Sequence, residues 1–405
     1  MDAIMRQRFL VILNLSFVSA LVILGFAVIS PVLPQYALSF SVSLAMTGWA
    51  VSAYALARLV MDLPAGILAD RFGRKRNMIF GLALVIVSSV LSGFASTFAW
   101  LIIGRVVQGL GSAFYMTSAT AWVAQTSAGE YRGRFMSLYS GLVFAGTAFG
   151  PAIGGYSAAH LGLSGPFFVY GGLAALSLIA TVFLKEPTAA SSSSLPRTSF
   201  SDVRVILTNG PFLLVNSAVF ALFFLRAGVR STLVPLFASL NLGLNGQEIG
   251  LLLTVPAIVT TLVTLPAGWL SDRIGRRIPI MSCLFLSAVS VVLIPLLGKS
   301  VGALFVVMAF YGFATGLQGS IAAWPADVAP KERLGTAMGL YRSIGDVGFV
   351  FGPITVTYIA GAAGGETVPA LPFIVPAILA LIVGIALRWA KDPAAHRQPA
   401  NAAAE

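Results

Sequence analysis

Residues 63–75 read LPAGILADRFGRK, and residues 265–277 read LPAGWLSDRIGRR. Each stretch places one aspartate and several Arg or Lys residues directly after an apolar run. Only 10% of the 405 residues are charged, whereas 58% are hydrophobic, and the mean hydropathy is +0.91. This composition is typical of an integral membrane protein and not of a soluble domain. The repeated charge cluster is therefore predicted at the edge of membrane-spanning segments.

Apolar runs of about 20 residues follow one another along the chain, and each is long enough to cross a hydrocarbon core of roughly 30 Å as a helix. We predict an all-α integral membrane fold with twelve transmembrane spans. The spans are 9–33, 45–68, 77–97, 99–124, 135–159, 165–184, 211–238, 247–270, 278–298, 301–325, 335–361 and 369–390.

The distribution of basic residues predicts the orientation of the chain. Most of the 25 Lys and Arg residues fall at the termini or in the loops after spans 2, 4, 6, 8 and 10. The alternate loops carry only Lys299. Cytoplasmic loops of membrane proteins are enriched in these residues, so both termini are predicted in the cytoplasm. Arg greatly outnumbers Lys, and Ala and Gly are abundant, which favours a bacterial plasma (inner) membrane.

The chain is predicted to consist of two related halves. The Ser- and Pro-containing stretch 185–209 is predicted to be a cytoplasmic linker between six-helix bundles at 1–184 and 210–390, with a cytoplasmic tail at 391–405. A shift of 202 positions superposes Leu63-Pro64-Ala65-Gly66 on Leu265-Pro266-Ala267-Gly268. It also superposes Phe149-Gly150-Pro151 on Phe351-Gly352-Pro353. Two such halves with the same orientation form a parallel repeat about an axis along the membrane normal.

These repeated loops are the first of several motifs by which the chain resembles the major facilitator superfamily, and in particular its twelve-span drug and proton antiporter group. The resemblance covers nearly the whole chain. It implies that Asp70 faces the start of span 11, where the positive end of the helix dipole favours a carboxylate, and that Asp272 faces span 5. A role in topology alone is the alternative, but topology does not require a repeated aspartate. The implied cytoplasmic gate consists of Gly66, Asp70, Arg71, Gly73, Arg74, Glu130, Asp272, Arg273, Arg276 and Glu332.

A second motif, RVVQGLG at 105–111 in span 4, resembles the arginine-bearing motif of the superfamily. At about 1.5 Å per residue, Arg105 lies roughly 12 Å inside its span, so its charge must face a cavity or a partner. The resemblance assigns it to proton coupling or substrate contact. A buried arginine satisfied by backbone carbonyls fits the residues equally well.

A third motif, GTAFGPAIGG at 146–155 in span 5, resembles the motif associated with drug and proton antiporters. It contributes Gly146, Gly150, Pro151, Gly154 and Gly155. Small residues at helical spacing allow close helix packing, and the proline interrupts the hydrogen-bond ladder. Packing alone explains this geometry, so export is implied only by the resemblance. The second copy of the motif lacks the Gly-Gly pair.

Seven ionisable residues lie in the interior of predicted spans, away from the span ends, at roughly 2.5–3.5 kcal/mol for each central charge on insertion scales. They are Arg58, Asp62, Arg105, Arg226, Arg230, Arg342 and Asp346. Two Arg–Asp pairs, Arg58 with Asp62 and Arg342 with Asp346, are four residues apart and can each neutralise themselves along a helix face. Arg226 and Arg230 are also four apart but repel, so they need a partner from elsewhere or an anion.

We predict distinct roles for these charges. Arg58, Arg226, Arg230 and Arg342 are predicted to line the substrate cavity, while Asp346, Asp62 and Arg105 are predicted to couple transport to protons. Asp346 is the better proton carrier because it lies about 18 Å into span 11, near the midplane. Asp62 lies closer to the cytoplasmic end and can instead serve only to compensate Arg58. The arginine excess, together with a first span that has no carboxylate, favours an acidic or amphipathic substrate.

The function predicted from these features is secondary active transport by alternating access. The predicted transporter is a proton-coupled exporter of amphipathic or drug-like small molecules, acidic ones among them. The alternative within this fold is an importer or a lipid-like anion flippase, whereas a receptor or scaffold would leave the buried charges unexplained. No metal cluster, nucleotide loop or nucleophile constellation is present in the sequence, so an enzyme is not predicted. We expect a monomer in the bilayer that needs no cofactor besides the proton gradient, holds no metal and binds no nucleic acid.

Overall fold

The computed structural model describes residues 3–126, 132–184, 200–298, 300–330, 333–364, 366–390 and 392. Within these ranges the regular structure is entirely helical, which confirms the predicted all-α fold. Eleven helices of the described ranges are long and apolar enough to cross a membrane, and each overlaps a predicted span. The remaining predicted span, 135–159, lies inside a helix of 30 residues, Arg132–Leu161.

Sixteen α-helices follow one another along the described residues. The helices before the predicted linker are α1 (Ala3–Ile29), α2 (Leu33–Leu38), α3 (Leu44–Phe72), α4 (Arg74–Gly93), α5 (Phe98–Thr126), α6 (Arg132–Leu161) and α7 (Gly165–Val182). The later helices are α8 (Phe200–Leu207), α9 (Gly210–Phe224), α10 (Val234–Leu242), α11 (Gly246–Ile274), α12 (Arg277–Leu297), α13 (Val301–Gly316), α14 (Ala323–Val328), α15 (Leu334–Ala362) and α16 (Leu371–Ala386).

The helices group into two compact units. The first unit contains Met1–Leu195 together with Ala238–Thr254, and the second contains Pro196–Phe237 together with Val255–Glu405. The short helix α8 occupies the end of the predicted linker, whose residues 185–199 lie outside the described ranges. The predicted domain boundary at this linker therefore stays a prediction.

Three predicted spans differ from the hydropathy pattern, either in where the helix ends or in the type of helix. The first span ends earlier than predicted, at Ile29, because Pro31 and Pro34 follow and proline disfavours helical geometry in the residue before it. The seventh span contains a π-helix over Leu225–Leu233. The tenth span changes to a 3₁₀ turn over Leu317–Ser320, where small residues let the chain approach α11 closely.

The backbone repeats the symmetry that the 202-residue shift indicates. Gly73 and Gly275, at equivalent positions of the two charged loops, both have φ of 93°. Gly162 and Gly364, which follow α6 and α15, are also equivalent under the shift and have φ of 78° and 64°. Residues with a Cβ rarely adopt these angles, so glycine is required at the same turns of both copies.

Close helix packing in the first unit depends on the glycines of α6. A Cβ built on Gly146 would lie 2.6 Å from the Ala20 carbonyl oxygen of α1, and one on Gly154 would overlap the Val28 carbonyl. The equivalent helix of the second unit, α15, places Gly348 and Gly352 against the α9 backbone in the same way. In lipid, where helices gain little from apolar burial against each other, such close contact is the main source of association.

Candidate functional site

The first copy of the charged loop lies between α3 and α4. Asp70 is exposed and has no ion-pair partner among the described residues. Arg74 donates from Nη1 to the Ala121 carbonyl oxygen of α5 at 3.3 Å, and Lys75 donates to the Val182 carbonyl at the end of α7 at 2.8 Å. The Arg71 guanidinium lies 5.4 Å from the centre of its neighbouring phenylalanine ring. Arg74 and Lys75 therefore tie the loop to α5 and to the end of α7.

A buried amide holds the helix behind this loop. Asn77 of α4 donates from Nδ2 toward the Ala65 carbonyl of α3 at 3.0 Å and toward two acceptors of α5. Those acceptors are the Phe114 carbonyl at 3.3 Å and the Ser118 hydroxyl at 2.8 Å. One side chain thus joins three helices one turn after the loop glycine. This residue was not predicted from the sequence, since a single Asn after a basic cluster carries no distinguishing pattern.

The second copy of the loop, between α11 and α12, has a carboxylate network. Arg276 donates from Nε to Asp327 Oδ2 at 2.6 Å and from Nη1 to Asp272 Oδ1 at 3.1 Å. The side chains of Arg276 and Asp327 are only 12% and 18% exposed, whereas Asp272 is 68% exposed. The stronger contact is therefore the shielded one with α14. The Arg273 guanidinium lies 3.7 Å from the centre of the Trp269 ring.

The partner Asp327 was missed by the sequence analysis. The 202-residue shift pairs it with Gln125, and this neutral-to-acidic difference was the signal that could have found it. Glu130 and Glu332, which were predicted to extend the networks, lie outside the described residues. The predicted contacts of Asp70 and Asp272 with the starts of distant spans stay predictions.

The glycines that begin the two loops, Gly66 and Gly268, have different neighbours. A Cβ on Gly66 would meet Thr117 Cγ2 at 3.5 Å, which is an ordinary van der Waals distance. Gly268 of the second copy lies against Gly319 at the 3₁₀ turn. The strict requirement for glycine in the first loop therefore falls on Gly73, because of its positive φ.

Arg105 of the second motif lies in the core of the first unit and is 1% exposed. Its Nε donates to the Ala50 carbonyl of α3 at 2.8 Å, and Nη1 donates to Gln108 Oε1 one turn further along α5. Its guanidinium carbon lies 4.9 Å from the centre of the Tyr54 ring. The charge is thus satisfied by one carbonyl, one amide and one aromatic face, as a buried arginine requires.

Arg58 meets the same aromatic ring from its own helix. Its guanidinium carbon lies 5.5 Å from the centre of the Tyr54 ring, and the side chain is partly exposed. Asp62 follows one turn later on α3 and is also partly buried. The structure therefore brings Arg58 of α3 and Arg105 of α5 to one tyrosine.

The charges of the second unit lie on α15 and on the π-helix. Asp346 is buried and Arg342 is partly buried one turn earlier. The wide turns of the π-helix carry Arg226, which is exposed, and Arg230, which is partly buried. Single π turns inside α-helices frequently occur at functional sites. No sequence pattern indicated this distortion.

Arg230 lies beside Tyr311 inside the second unit, together with Val229, Val234, Ile294 and Met308. The space between these residues is too small for a water molecule. Ligand pockets usually measure roughly 300–1,000 Å³, so a drug-like molecule does not fit here. The Tyr311 hydroxyl is buried here without a hydrogen-bond partner among the described residues. The predicted role of Arg230 in a substrate cavity stays a prediction.

The third motif packs against two different helices of the first unit. Gly146, Gly150 and Gly154 contact the backbone of α1. Gly155 instead faces the start of α11, in the segment that belongs to the same unit, where a Cβ would lie 2.8 Å from the Gly250 Cα. The motif therefore fixes α6 between two neighbours by backbone contact.

Comparison with known proteins identifies the family. The profile of the Major Facilitator Superfamily matches residues 15–229 and 218–405. The chain belongs to this superfamily. Over 383 residues it is 30% identical to Multidrug resistance protein 1 of Bacillus subtilis (strain 168), covering 92% of this chain and 94% of the relative. It is 25% identical over 355 residues to Multidrug resistance protein 2 of the same strain, covering 86% of this chain and 87% of the relative.

A solved structure supports the superfamily fold. The nucleoside transporter NupG superposes with a TM-score of 0.76 at 14% identity, covering 93% of this chain and 99% of that chain. At this identity the likeness concerns the fold alone. As a member of the superfamily, the chain is a multi-pass membrane transporter and not an enzyme, which confirms the predicted class.

Proposed function

We propose that this superfamily member is a proton-coupled exporter of amphipathic, drug-like small molecules in a bacterial plasma membrane, with both termini in the cytoplasm. The proposal rests chiefly on its similarity to a multidrug resistance protein over 92% of the chain. The packing of the antiporter-like motif adds support. Because Gly146, Gly150 and Gly154 set α6 directly against α1, these helices can move as one body during alternating access.

The buried carboxylate Asp346 is the proposed proton carrier. A charge inside a membrane protein is costly, so the gain or loss of a proton there changes the local energetics strongly. Arg342 lies one turn away on α15 and its interaction with Asp346 depends on that charge. Asp62 stands in a similar relation to Arg58 on α3 and is the second proposed carrier.

An acidic substrate is favoured within this proposal. The spans carry Arg58, Arg105, Arg226, Arg230 and Arg342 but only two aspartates, Asp62 and Asp346. The same excess of positive charge also fits the second candidate function, in which an importer or flippase moves lipid-like anions. Transport direction and substrate charge separate the two candidates.

Transport by the purified protein in proteoliposomes tests the proposal. We would impose a pH gradient of either sign and follow ethidium as a cation and 8-anilinonaphthalene-1-sulfonate as an anion. We expect the dye to move against the proton flow, with faster movement of the anion. Gradient-independent transport would contradict proton coupling, and movement of the dye together with the protons would favour the importer.

The variant Asp346→Asn tests the proposed carrier. We expect it to lose gradient-driven transport at least tenfold while its thermal stabilisation by the dye remains. Glu366→Gln, which changes an exposed carboxylate outside the helices, is the matched control and should transport normally. Unchanged gradient-driven transport in Asp346→Asn would rule out this residue as the carrier.

A further inference from the structure

Tyr54 lies at the centre of a charged cluster in the first unit. It is 3% exposed, and its ring lies 4.9 Å from the Arg105 guanidinium carbon and 5.5 Å from that of Arg58. A third neighbour, the Phe26 ring of α1, has its centre 4.8 Å from that of Tyr54. One aromatic ring thus contacts two cations that come from different helices.

The two arginines are held very differently. Arg105 is fixed in the core by the Ala50 carbonyl and the Gln108 side chain. Arg58 is partly exposed and lies one helical turn from Asp62. Like charges repel strongly where water is excluded, and the negative face of an aromatic ring attracts both guanidinium groups. The ring therefore stabilises the approach of a partly exposed cation to a buried one.

The ring itself is held on two sides. The Tyr54 hydroxyl is hydrogen-bonded to the Ser112 hydroxyl of α5 at 2.7 Å. Behind it, Gly109 lies so close that an added Cβ would overlap the Tyr54 carbonyl oxygen. Helix α5 therefore contacts both the backbone and the side chain of Tyr54. Small movements of α3 against α5 would change the distances from the ring to both arginines.

The second unit shows that the fold does not require this cluster. Under the 202-residue shift, Tyr54 corresponds to Pro256, Arg58 to Thr260 and Arg105 to Val307. The second unit places Thr260 where its hydroxyl donates to the Gly312 carbonyl at 3.0 Å, an uncharged link between α11 and α13. The second unit therefore packs its equivalent helices with uncharged side chains at these positions.

We propose that Tyr54 is a positioning residue that links Arg58 to Arg105, so that a change of charge at Asp62 alters the position of both guanidinium groups. The inference rests on the proposed proton-coupled function. When Asp62 is ionised it attracts Arg58 away from the ring, and when it is neutral the ring holds Arg58 more strongly. The charged and titratable groups around the ring are Arg58 and Asp62 on α3, Arg105 on α5, and Tyr170 on α7.

Graded fluorination of the ring tests this role without changing its shape. Tyr54→Phe removes only the hydroxyl and is the reference, and phenylalanines with one, two or three ring fluorines then replace Tyr54 in turn. Fluorine withdraws electrons from the ring face and so weakens its attraction for cations. We expect gradient-driven transport to fall stepwise, by about tenfold over the series, because the contact is worth about 1–2 kcal/mol when desolvated. Dye-induced thermal stabilisation should stay constant.

A fluorinated series with unchanged transport rates would overturn the proposed role. So would a series in which dye affinity and transport fell together, since that pattern indicates a binding or structural role. The pH profile of transport gives a second readout. It should shift in the fluorinated variants and remain at the wild-type position in Tyr54→Phe.

Thermal unfolding distinguishes failure of this inference from failure of the proposed function. We would measure the unfolding temperature of Tyr54→Leu, Arg58→Met and the double variant. A coupled pair gives a double-variant shift smaller than the sum of the single shifts. Additive shifts would overturn the contact even if the wild type transports with a proton gradient. Gradient-independent wild-type transport would instead contradict the proposed function. In that case the unfolding measurement alone would show whether Tyr54 and Arg58 are coupled.

Discussion

The two charged loops have the same backbone turn but different partners for the equivalent arginine. In the first loop Arg74 donates to the Ala121 carbonyl, whereas in the second loop Arg276 contacts the carboxylates of Asp327 and Asp272. The turn glycines have the same φ of 93°. The turn is thus common to both copies, while these contacts of the two equivalent arginines differ.

The different contacts indicate different roles for the two loops, although their sequences are nearly the same. In the second loop, Arg276 forms a shielded ion pair with Asp327 of the same unit. In the first loop Asp70 is exposed, and Lys75 donates to the carbonyl at the end of α7, where the negative end of the helix dipole favours a cation. A carboxylate with no ion-pair partner among the described residues is suited to form and break contacts during transport. The second loop is suited to stability.

The largest effect is expected for removal of the shielded carboxylate. Asp327→Ala leaves Arg276 partly buried beside the exposed Asp272 alone, and should lower the free energy of unfolding by about 3 kcal/mol. Lys75→Ala, in the first loop, removes a hydrogen bond to a neutral carbonyl and should cost only about 1 kcal/mol. Denaturant unfolding in detergent measures both. Equal losses in the two variants would show that the networks are equivalent.

A smaller effect is expected at the turn that both copies share. Gly73→Ala forces a side chain into a conformation with φ of 93° and ψ of 143° and should cost about 2 kcal/mol. Gly66→Ala is the matched control, since its Cβ meets only Thr117 at an ordinary distance. Gly275→Ala should behave as Gly73→Ala does. If Gly66→Ala were as destabilising as Gly73→Ala, positive φ would not be the reason for glycine here.

The smallest effect on stability is expected for the two exposed aspartates. Asp70→Asn and Asp272→Asn should each change the free energy of unfolding by less than about 1 kcal/mol, because exposed ion pairs contribute little. The two variants should differ in their transport rates. We expect Asp70→Asn to slow dye export about tenfold and Asp272→Asn to have a weaker effect. A greater transport loss in Asp272→Asn would reverse the roles that we assign to the loops.

Long-range periodic features of the fold were predictable from sequence. Apolar runs of span length located the helices, and a constant shift located equivalent positions such as Gly73 and Gly275. Positive φ at both glycines has the same cause, since the same tight turn joins consecutive helices in each copy. These predictions depend on patterns that extend over many residues or occur twice.

The features that the sequence did not indicate depend on single contacts in three dimensions. Tyr54 resembles any other aromatic residue of an apolar span until its ring is found between two arginines. Asp327 lies 51 residues after Arg276 and follows no motif. The π-helix at 225–233 likewise was not indicated by any sequence pattern.

The segment that contains the π-helix differs in length between the two copies. Gly146 faces the Ala20 carbonyl and Gly348 faces the Phe220 carbonyl, so the first helices of the copies are offset by 200 residues while the glycines are offset by 202. Two extra residues therefore lie between this helix and the charged loop in the second copy. A π turn holds one residue more than an α turn, so the segment 225–233 can absorb one of these insertions within the helix. Deleting one residue from this segment would therefore restore an ordinary α turn and leave the helix on both sides in its present orientation.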